Sequence, residues 1–560
     1  MPVVEVLLWD LERLVGVDLS PSELETLLPR LKCEVESAEG ERVTYEATHD
    51  RPDLYSAELL SVALKGLLGL ERGLPRFKTG EPTGEARVEG PGYRPYAFFA
   101  VVEGLRLDDE AIRQLVQLQE KVHATFGRDR RKVSIGFYDL EGVEFPISYV
   151  AVDPKSVKFK PLGFTIEMTP EEVLRNHPKG VAYRHLVEGR GVVPLIVDAG
   201  GKVVSFPPVT NSEEFRVTED TTRVLIDVTS TEPEAGRRVL SLVASAFAAR
   251  GGTIRPVRLV YAGGGTEASP RTEPDSVLYD LSLTERLLGL RLSAEEVREL
   301  LLSMRMEAEP AREGVLEVKY PYYRLDILHP VDIAEEIAMA YGYERIEPEV
   351  LPPKHPGREH PLEVFSREVR SIMAEMGFTE VNNYMMTSKR VMFELMCLPE
   401  QPIIEVENPR HEAYHALRTW IIPQLLQVLA SSKHAGYPQR IFEVGDVVIP
   451  DEAAETRSRE ERRLAFAIAG KGVTLTDGLA ALNAFASQLS LSVSLRPLEH
   501  PSFIPGRAAR ILLCGEEAGI VGEVHPRVLI SFELQVPVVA GELNLEAARR
   551  CYISWRRGSS

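Results

Sequence analysis

The chain has 560 residues, which is too many for one hydrophobic core and indicates about three to five domains. Its formal net charge of -19 excludes a free-standing protein that holds nucleic acid over its whole surface, because such proteins are usually basic. A contact with nucleic acid would therefore be local, or a more basic partner would carry most of it.

Other classes of protein are excluded by the pattern of apolar residues and cysteines. No apolar run reaches the roughly 18 residues that span a bilayer, and the N-terminus carries no basic leader, so we expect neither a membrane segment nor a signal peptide. The cysteines Cys33, Cys397, Cys514 and Cys551 have neither metal-binding nor redox spacing. We expect them to be free thiols in a reducing cytosol.

Residues 1–85 are predicted to form an N-terminal domain. Amphipathic helices are predicted over Asp10–Val15 and Ser20–Leu31, and Ser20 with Glu23 has the spacing of a helix start. Alternation of apolar and polar residues over Val43–Ala47 predicts a strand. The segment 74–90 is rich in glycine, proline and charge, and it predicts a linker.

A second domain is predicted over residues 91–262. Its predicted elements are a strand over Ala97–Val102, a helix over Asp108–Phe126, a helix over Glu234–Ala249 and a closing strand over Thr253–Gly264. The glycine run Gly263–Gly265 lacks the Gly-Lys-Ser/Thr ending of a phosphate-binding loop, so we interpret it as a linker.

A third domain is predicted over residues 270–347. Two helix starts, Ser282 with Glu285 and Ser293 with Glu296, together with a later helix predict a small α+β, helix-turn-helix-like fold. The aromatic and branched run Tyr322–Leu328 predicts a strand that His329–Pro330 ends.

Four carboxylates are the most informative feature of this third domain. Asp332 is predicted to open a helix that ends at Gly342, and Asp332, Glu335 and Glu336 then share one face at i, i+3 and i+4. Asp326 precedes them at the predicted strand end. Converging carboxylates suit a hard cation such as Mg²⁺ or Ca²⁺. Equally, Asp332 with Glu335 has the spacing of a capping box, so both interpretations stay open.

The last predicted domain, residues 358–560, follows a proline-rich linker at Pro352–Gly357. A long helix followed by a strand is predicted over His360–Ser388. Three short motifs come after it: Asn408–Pro409, Leu417–Thr419 and Phe442–Gly445.

The carboxylate segment resembles that of the β subunit of phenylalanine–tRNA ligase. Arg324, Asp326, Asp332, Glu335, Glu336 and Tyr341–Tyr343 match the family pattern R-x-D-x5-D-x2-E-E followed by A-x2-Y-G-Y without a gap. The resemblance implies that Asp326, Asp332, Glu335 and Glu336 bind Mg²⁺. The turn Arg51–Leu54 also resembles one near the start of the family, where it implies packing between subunits; a simple helix cap explains it equally well.

The second domain resembles the tRNA-editing domain of the archaeal and eukaryotic form of this family, over Gly127–Val143, His177–Gly189 and Ser205–Thr231. An apolar pocket rejects the extra hydroxyl of tyrosine only about a hundred-fold, so a second, hydrolytic site is expected. Without a convincing Ser-His-Asp order or metal cluster, we expect a positioned water. The polar candidates near the pocket are Ser205, Asn211, Ser212, Arg216 and Asp227; turn capping or surface charge explains them equally well. The histidines His123, His177 and His185 are expected to be structural or exposed.

The last domain resembles a class II synthetase core. Such a core contacts ATP through arginines, one of them in a G-x-G-x-E-R segment; here Gly506–Arg507 and Gly519–Glu523 are the nearest approach, and no arginine follows Glu523. We therefore expect a catalytically silent core that pairs with an α subunit.

The predicted fold class is thus a multidomain α+β protein with an editing domain, a helix-turn-helix-like domain and a class II synthetase-like antiparallel-sheet core that lacks the active-site motifs. The resemblance implies a cytoplasmic α₂β₂ complex that uses ATP to charge tRNA(Phe), with hydrolytic editing of mischarged Tyr-tRNA(Phe) by this chain. The alternatives are a free-standing trans-editing hydrolase, which has no need of a silent core, and a purely structural scaffold.

Overall fold

The computed structural model describes residues 1–348, 350–351 and 355–558. It divides into two compact units, Met1–Val350 and Leu351–Ser560. Within the predicted linker Pro352–Gly357, residues 352–354 lie outside the described residues. No helix in the described part of the chain combines the length and the apolar composition needed to cross a bilayer.

The first unit begins with an antiparallel sheet in the order β1-β3-β2, with helices packed beside it. Its elements are β1 (Val3–Leu7), α1 (Leu8–Val15), α2 (Pro21–Leu27), β2 (Cys33–Glu39), β3 (Arg42–Ala47) and α3 (Ala57–Leu67). The helix start at Ser20 is confirmed, because the Ser20 hydroxyl accepts the Glu23 N–H at 3.2 Å. The helix itself ends at Leu27, and a 3₁₀ turn over Leu28–Leu31 completes the predicted segment.

A large mixed sheet follows, in the order β11-β10-β9-β8-β5-β13-β6-β12-β7. Its strands are β4 (Lys78–Thr79), β5 (Glu85–Glu89), β6 (Tyr96–Glu103), β7 (Val133–Asp139), β8 (Ile147–Val152), β9 (Val193–Val197), β10 (Val203–Phe206), β11 (Thr210–Asn211), β12 (Arg223–Ser230), β13 (Thr253–Tyr261) and β14 (Thr266–Ser269). Its helices are α4 (Asp109–Ala124), α5 (Pro170–Asn176), α6 (Pro178–Tyr183) and α7 (Pro233–Ala249). The helices α4 and α7 pack against the β6-β12-β7 end of this sheet.

Two predicted linkers are in fact parts of this sheet. Strands β4 and β5 lie inside the segment 74–90 and pair in parallel with β13, so this segment is not a simple linker. The glycine run at Gly263–Gly265 is the turn between β13 and β14, which pair antiparallel. Strand β5 lies between β8 and β13 in this sheet, and the composition of the segment alone does not distinguish it from a loop.

The first unit ends with an antiparallel sheet, β15-β17-β16, and three helices. The elements are β15 (Asp275–Asp280), α8 (Ser282–Leu288), α9 (Ala294–Ser303), β16 (Glu307–Arg312), β17 (Val315–Tyr320) and α10 (Pro330–Tyr341). The capping box of Ser293 with Glu296 is confirmed. The helix start predicted at Ser282 is also confirmed, because α8 begins there, but Leu281 is the N-cap and no side chain caps this helix.

The predicted bounds around the carboxylates also need correction. The strand ends at Tyr320, and Tyr322–Leu328 is a loop. Helix α10 begins at Pro330 rather than Asp332, with His329 as its N-cap. Proline fits the first helical turn because its missing N–H would have no partner there, so Pro330 starts the helix as well as ending the run before it.

The second unit is built on a sheet in the order β18-β21-β22-β26-β25-β24-β23, antiparallel except between β18 and β21. The strands of this sheet are β18 (Thr379–Glu380), β21 (Gln439–Pro450), β22 (Ser458–Ala469), β23 (Val493–Pro497), β24 (Phe503–Leu513), β25 (Glu516–Val524) and β26 (Val538–Asn544). Two further strands, β19 (Met386–Thr387) and β20 (Ala416–Leu417), pair with each other. Its helices are α11 (Pro361–Glu375), α12 (Ile422–Ser431), α13 (Leu475–Gln488), α14 (Pro526–Ser531) and α15 (Leu545–Gly558).

The expectation of four free thiols is wrong for two of the cysteines. Cys514 and Cys551 form a disulfide with their Cα atoms 5.7 Å apart, whereas Cys33 and Cys397 are free. The bond joins the turn after β24 to α15. A separation of 37 residues carries no pairing signal in a sequence, and only the packing of α15 brings these two cysteines together.

Candidate functional site

A polar pocket of about 60 Å³ opens beside β7, the edge strand of the large sheet. Strands β7, β10, β11 and β12 supply its walls. Three of the predicted candidates line it together: Ser205, Asn211 and Asp227. Their approach follows from strand pairing, because Asp227 on β12 lies opposite Gly136 on β7, and Ser205 on β10 lies opposite Asn211 on β11.

Asp227 is the buried carboxyl group of this pocket. Its side chain is buried, and the Tyr138 hydroxyl donates a hydrogen bond to its carboxylate. Burial raises the pKa of Asp227 to about 7, although the bond from Tyr138 opposes this shift. Burial, and then the neighbouring Asp227 charge, raises the pKa of Tyr138 well above its usual value. Asp227 therefore changes protonation near neutral pH while Tyr138 stays protonated.

Gly136 provides the space for this pair. A Cβ atom at this position would overlap both the Tyr138 hydroxyl and the Asp227 carboxylate. Glycine is thus required because of the close approach of two polar side chains rather than because of its backbone conformation.

Ser212 and Arg216 lie elsewhere. Both line a neighbouring apolar cavity and neither lines the polar pocket. The Arg216 guanidinium is half exposed and pairs with Glu213 at 3.2 Å. The structure therefore divides the predicted candidates between two adjacent cavities.

Several pocket residues escaped the sequence prediction, among them Tyr138, Gln119, Arg130 and Lys179. The alternation of Ser134, Gly136 and Tyr138 along β7 was a usable signal, because these residues share one face of a strand. Nothing local marked Gln119 or Lys179, since both reach the pocket from helices.

Side chains satisfy the free edge of β7. The Ile135 N–H donates to Nε2 of His123 at 2.8 Å, Gln119 donates to the Ile135 carbonyl at 2.7 Å, and Asn211 donates to the Phe137 carbonyl at 3.4 Å. Burial lowers the pKa of His123 to about 4, so its ring is neutral and able to accept this bond.

The expectation of structural or exposed histidines is confirmed in the described geometry. His123 holds the edge of β7, His177 contacts the Leu162 carbonyl at 3.1 Å, and His185 is exposed.

Arg130 fixes the rim of the pocket. It is buried and donates to the carbonyls of Pro208 and Val209 at 3.1 and 3.2 Å and to Glu120 at 2.9 Å. Its guanidinium also stacks 4.4 Å from the ring centroid of Tyr183. A permanent cation thereby ties the Pro208–Val209 segment to helices α4 and α6.

The carboxylates of the third domain form a buried charge network rather than an open cluster. Arg324 donates to both oxygens of Asp326 at 2.8 and 2.6 Å and to Glu336 at 2.5 Å. Arg51 donates to both oxygens of Asp53, and its Nη1 lies 3.8 Å from Glu336. Burial alone would raise the pKa of Asp326, but the Arg324 guanidinium lowers it to about 2.

The other two carboxylates do not join this network. Asp332 accepts the N–H groups of Leu328 and His329 at 2.7 and 2.6 Å and so caps α10 as its third residue. The capping-box interpretation is therefore confirmed for Asp332, but its partner in the box is His329 and not Glu335. Glu335 is partly exposed and pairs with Lys32 at 2.7 Å.

These contacts do not fit one Mg²⁺ ion held by all four carboxylates. Asp326 and Glu336 already share guanidinium groups, Asp332 binds backbone N–H groups and Glu335 binds an ammonium group. Among the described residues, no group of three or more His, Cys, Asp or Glu side chains has the arrangement of a metal site.

In the second unit, the arginines nearest to the class II motifs are paired within the fold. Arg418 is buried, lies 2.7 Å from Glu443 and donates to Gln424 at 2.9 Å. Arg507 donates to Glu523 at 2.9 Å. A nucleotide phosphate would have to compete with these carboxylates for both cations.

Comparison with known proteins gives matches along most of the chain. Residues 348–545 match the family model for the phenylalanyl tRNA synthetase beta chain CLM domain, and residues 277–343 match that for the tRNA synthetase B5 domain. The chain is 68% identical over 554 residues to the phenylalanine–tRNA ligase beta subunit of Thermofilum pendens, covering 99% of each chain. It is 42% identical over 558 residues to that of Pyrococcus horikoshii, covering 98% of this chain and 100% of the relative.

A solved structure extends the likeness to the fold. The crystal structure of an N-terminal fragment of the phenylalanyl-tRNA synthetase beta-subunit from Pyrococcus horikoshii superposes with a TM-score of 0.59 at 41% identity, covering 61% of this chain and 100% of the fragment. The chain therefore belongs to the family of phenylalanine–tRNA ligase beta subunits.

Proposed function

We propose that this chain acts with an α subunit in an α₂β₂ complex that attaches phenylalanine to tRNA(Phe). The observation that carries this proposal is the second unit, whose arginines Arg418 and Arg507 are already bound to Glu443 and Glu523. Because these two arginines are bound to carboxylates, we expect a partner to supply the cations that ATP needs. We expect the complex to be cytoplasmic.

We further propose that this chain hydrolyses Tyr-tRNA(Phe) in the pocket of Ser205, Asn211 and Asp227. Phenylalanine lacks the tyrosyl hydroxyl, so a site with a buried acceptor discriminates strongly between the two. Asp227 is such an acceptor once it is ionised, because a carboxylate accepts hydrogen bonds only.

Hydrolysis then requires a water at the ester carbonyl. No histidine lies among the residues that line the pocket in the described structure, so a Ser-His-Asp mechanism finds no base there. Among the predicted candidates, we expect the Ser205 hydroxyl and the Asn211 amide to hold the attacking water. A volume of about 60 Å³ suits a few waters or the hydroxyl end of a side chain.

Mg²⁺ at Asp326, Asp332, Glu335 and Glu336 stays a prediction. It would require Arg324 and Lys32 to release carboxylates that they now bind. We therefore derive no step of the reaction from a metal at these residues.

The test is co-expression with an α-type subunit from the same genome, followed by phenylalanylation of the matching tRNA. We expect a stable complex that charges tRNA, whereas neither chain does so alone. Charging by the α subunit unaided, with this chain remaining separate, would instead favour a free-standing hydrolase. Deacylation of Tyr-tRNA(Phe), with Phe-tRNA(Phe) as the control, tests the editing proposal independently.

A further inference from the structure

An apolar cavity of about 220 Å³ adjoins the polar pocket and has no role in the function proposed above. The two cavities share three lining residues, Gln119, Leu162 and Asn211. Phe137 of β7 lines the apolar cavity, and Gly136 and Tyr138 of the same strand line the polar pocket. The two cavities are therefore neighbours, and two joined groups of one ligand can occupy them.

The walls of this cavity are suited to a flat ring. Leu115, Phe137, Phe215 and Phe247 are buried around it, and Phe137 and Phe247 contact edge to face with their centroids 5.5 Å apart. A cavity of about 150 Å³ lined by similar side chains is large enough for benzene. The larger volume here accommodates a larger aromatic ring system.

The rim of the cavity carries hydrogen-bond acceptors and one cation. The amide nitrogens of Gln119 and Asn211 donate to the free carbonyls of β7, which leaves their carbonyl oxygens as acceptors beside the cavity. Asn and Gln amides are the side chains that most often recognise the hydrogen-bonding edge of adenine. The half-exposed guanidinium of Arg216 adds a cation at the rim, for which a phosphate would compete with Glu213.

We propose that the apolar cavity binds the adenine ring of the terminal adenosine of the aminoacyl-tRNA. This inference rests on the proposed editing function. The tyrosyl group has a hydroxyl that matches Asp227 in the polar pocket, and the adenine ring matches an apolar cavity with amide acceptors. The ester that joins the two groups through the ribose then lies at the shared wall, next to Asn211.

Val116 offers a direct test, because it lines the cavity from α4 and is 41% exposed. Val116→Trp fills the cavity from its solvent side. The matched control is Val364→Trp, on helix α11 of the other unit, where the valine is 44% exposed. Val217→Trp, at another wall of the cavity, serves as a second variant if Val116→Trp fails to fold.

Two probes are titrated separately into the full-length chain and followed by NMR: adenosine 5′-monophosphate and tyrosinamide. We expect Val116→Trp to weaken binding of adenosine 5′-monophosphate at least tenfold and to leave tyrosinamide binding within twofold of the unmodified chain. Asp227→Asn should show the opposite pattern, and Val364→Trp should change neither affinity.

Other outcomes overturn the proposal. If the unmodified chain does not bind adenosine 5′-monophosphate, or if Val116→Trp leaves its binding unchanged, the cavity is not an adenine site. If Val116→Trp weakens tyrosinamide instead, the cavity holds the tyrosyl ring. Failure of the editing function is distinguishable, because the unmodified chain would then leave Tyr-tRNA(Phe) intact while it still bound adenosine 5′-monophosphate.

Discussion

Replacement of Arg324 by methionine is the sharpest test of the buried charge network. In the folded chain the side chains of Arg324, Asp326 and Glu336 are only 4%, 4% and 1% exposed. Arg324→Met removes the cation but leaves both carboxylates buried. Breaking a buried ion pair in this way costs about 3–5 kcal/mol, because the remaining charge has lost its solvation and its partner.

The control is Arg291→Met in the same domain. Arg291 pairs with Glu285 at 2.6 Å, but the two side chains are 86% and 55% exposed. An exposed pair contributes about 0–1 kcal/mol, so the same chemical change should have little effect there. The triple variant Arg324→Met, Asp326→Asn, Glu336→Gln should recover part of the loss, because it removes the unpaired charges as well.

Hydrogen exchange followed by mass spectrometry measures the effect locally, which avoids assuming two-state unfolding of a multidomain chain. We expect the amide protection of α10 to fall about 150- to 5,000-fold in Arg324→Met, as about 3–5 kcal/mol requires. Equal protection in Arg324→Met and Arg291→Met would refute the reasoning. A saturable rise of amide protection with Mg²⁺ concentration in the unmodified chain would instead support the hypothesis that the four carboxylates bind a metal ion.

The remaining predictions concern Asp227 and the disulfide. Asp227→Asn should lower kcat/KM for deacylation of Tyr-tRNA(Phe) about 10- to 100-fold through loss of a charged hydrogen bond, with phenylalanylation by the complex unchanged as the control. Deacylation should rise with pH through about 7, where Asp227 ionises; a flat profile contradicts its role. Because the pKa of Asp227 is higher in the folded chain, the unmodified chain should lose stability as pH rises from about 4 to about 7, and Asp227→Asn should lack this loss in chemical denaturation. Reduction of Cys514–Cys551, which closes a separation of 37 residues, should destabilise the second unit by about 4 kcal/mol; identical unfolding curves with and without dithiothreitol would contradict this.

Local patterns explain which parts of the fold were predictable. The helix starts at Ser20 and Ser293 depend on a residue three positions later, so a short window of sequence is sufficient to find them. The run Tyr322–Leu328 resembles a strand but forms a loop. The Tyr322 ring lies 4.6 Å from the Arg238 guanidinium and its hydroxyl donates to Glu234, so distant groups, and not a neighbouring strand, bury it.

The sequence predicted some residues of the candidate pocket and not others, according to whether they lie in one segment of the chain. Ser205, Asn211 and Asp227 lie in one segment that resembles the family's editing domain, so the sequence already grouped them. Tyr138 and Gln119 reach the same pocket from β7 and α4, and only strand pairing and helix packing bring them there.

The sequence by itself determined the family, the order of the domains' motifs and the presence of four carboxylates at fixed spacing, because these properties depend on residue identity along the chain. The tertiary structure decided which cation meets each carboxylate. Arg51 belongs to the N-terminal part of the sequence but lies near Glu336 in space. Lys32 comes from the same part of the sequence and pairs with Glu335. A charge interacts with whatever lies near it in space, and spacing along one helix says nothing about partners that folding brings from elsewhere.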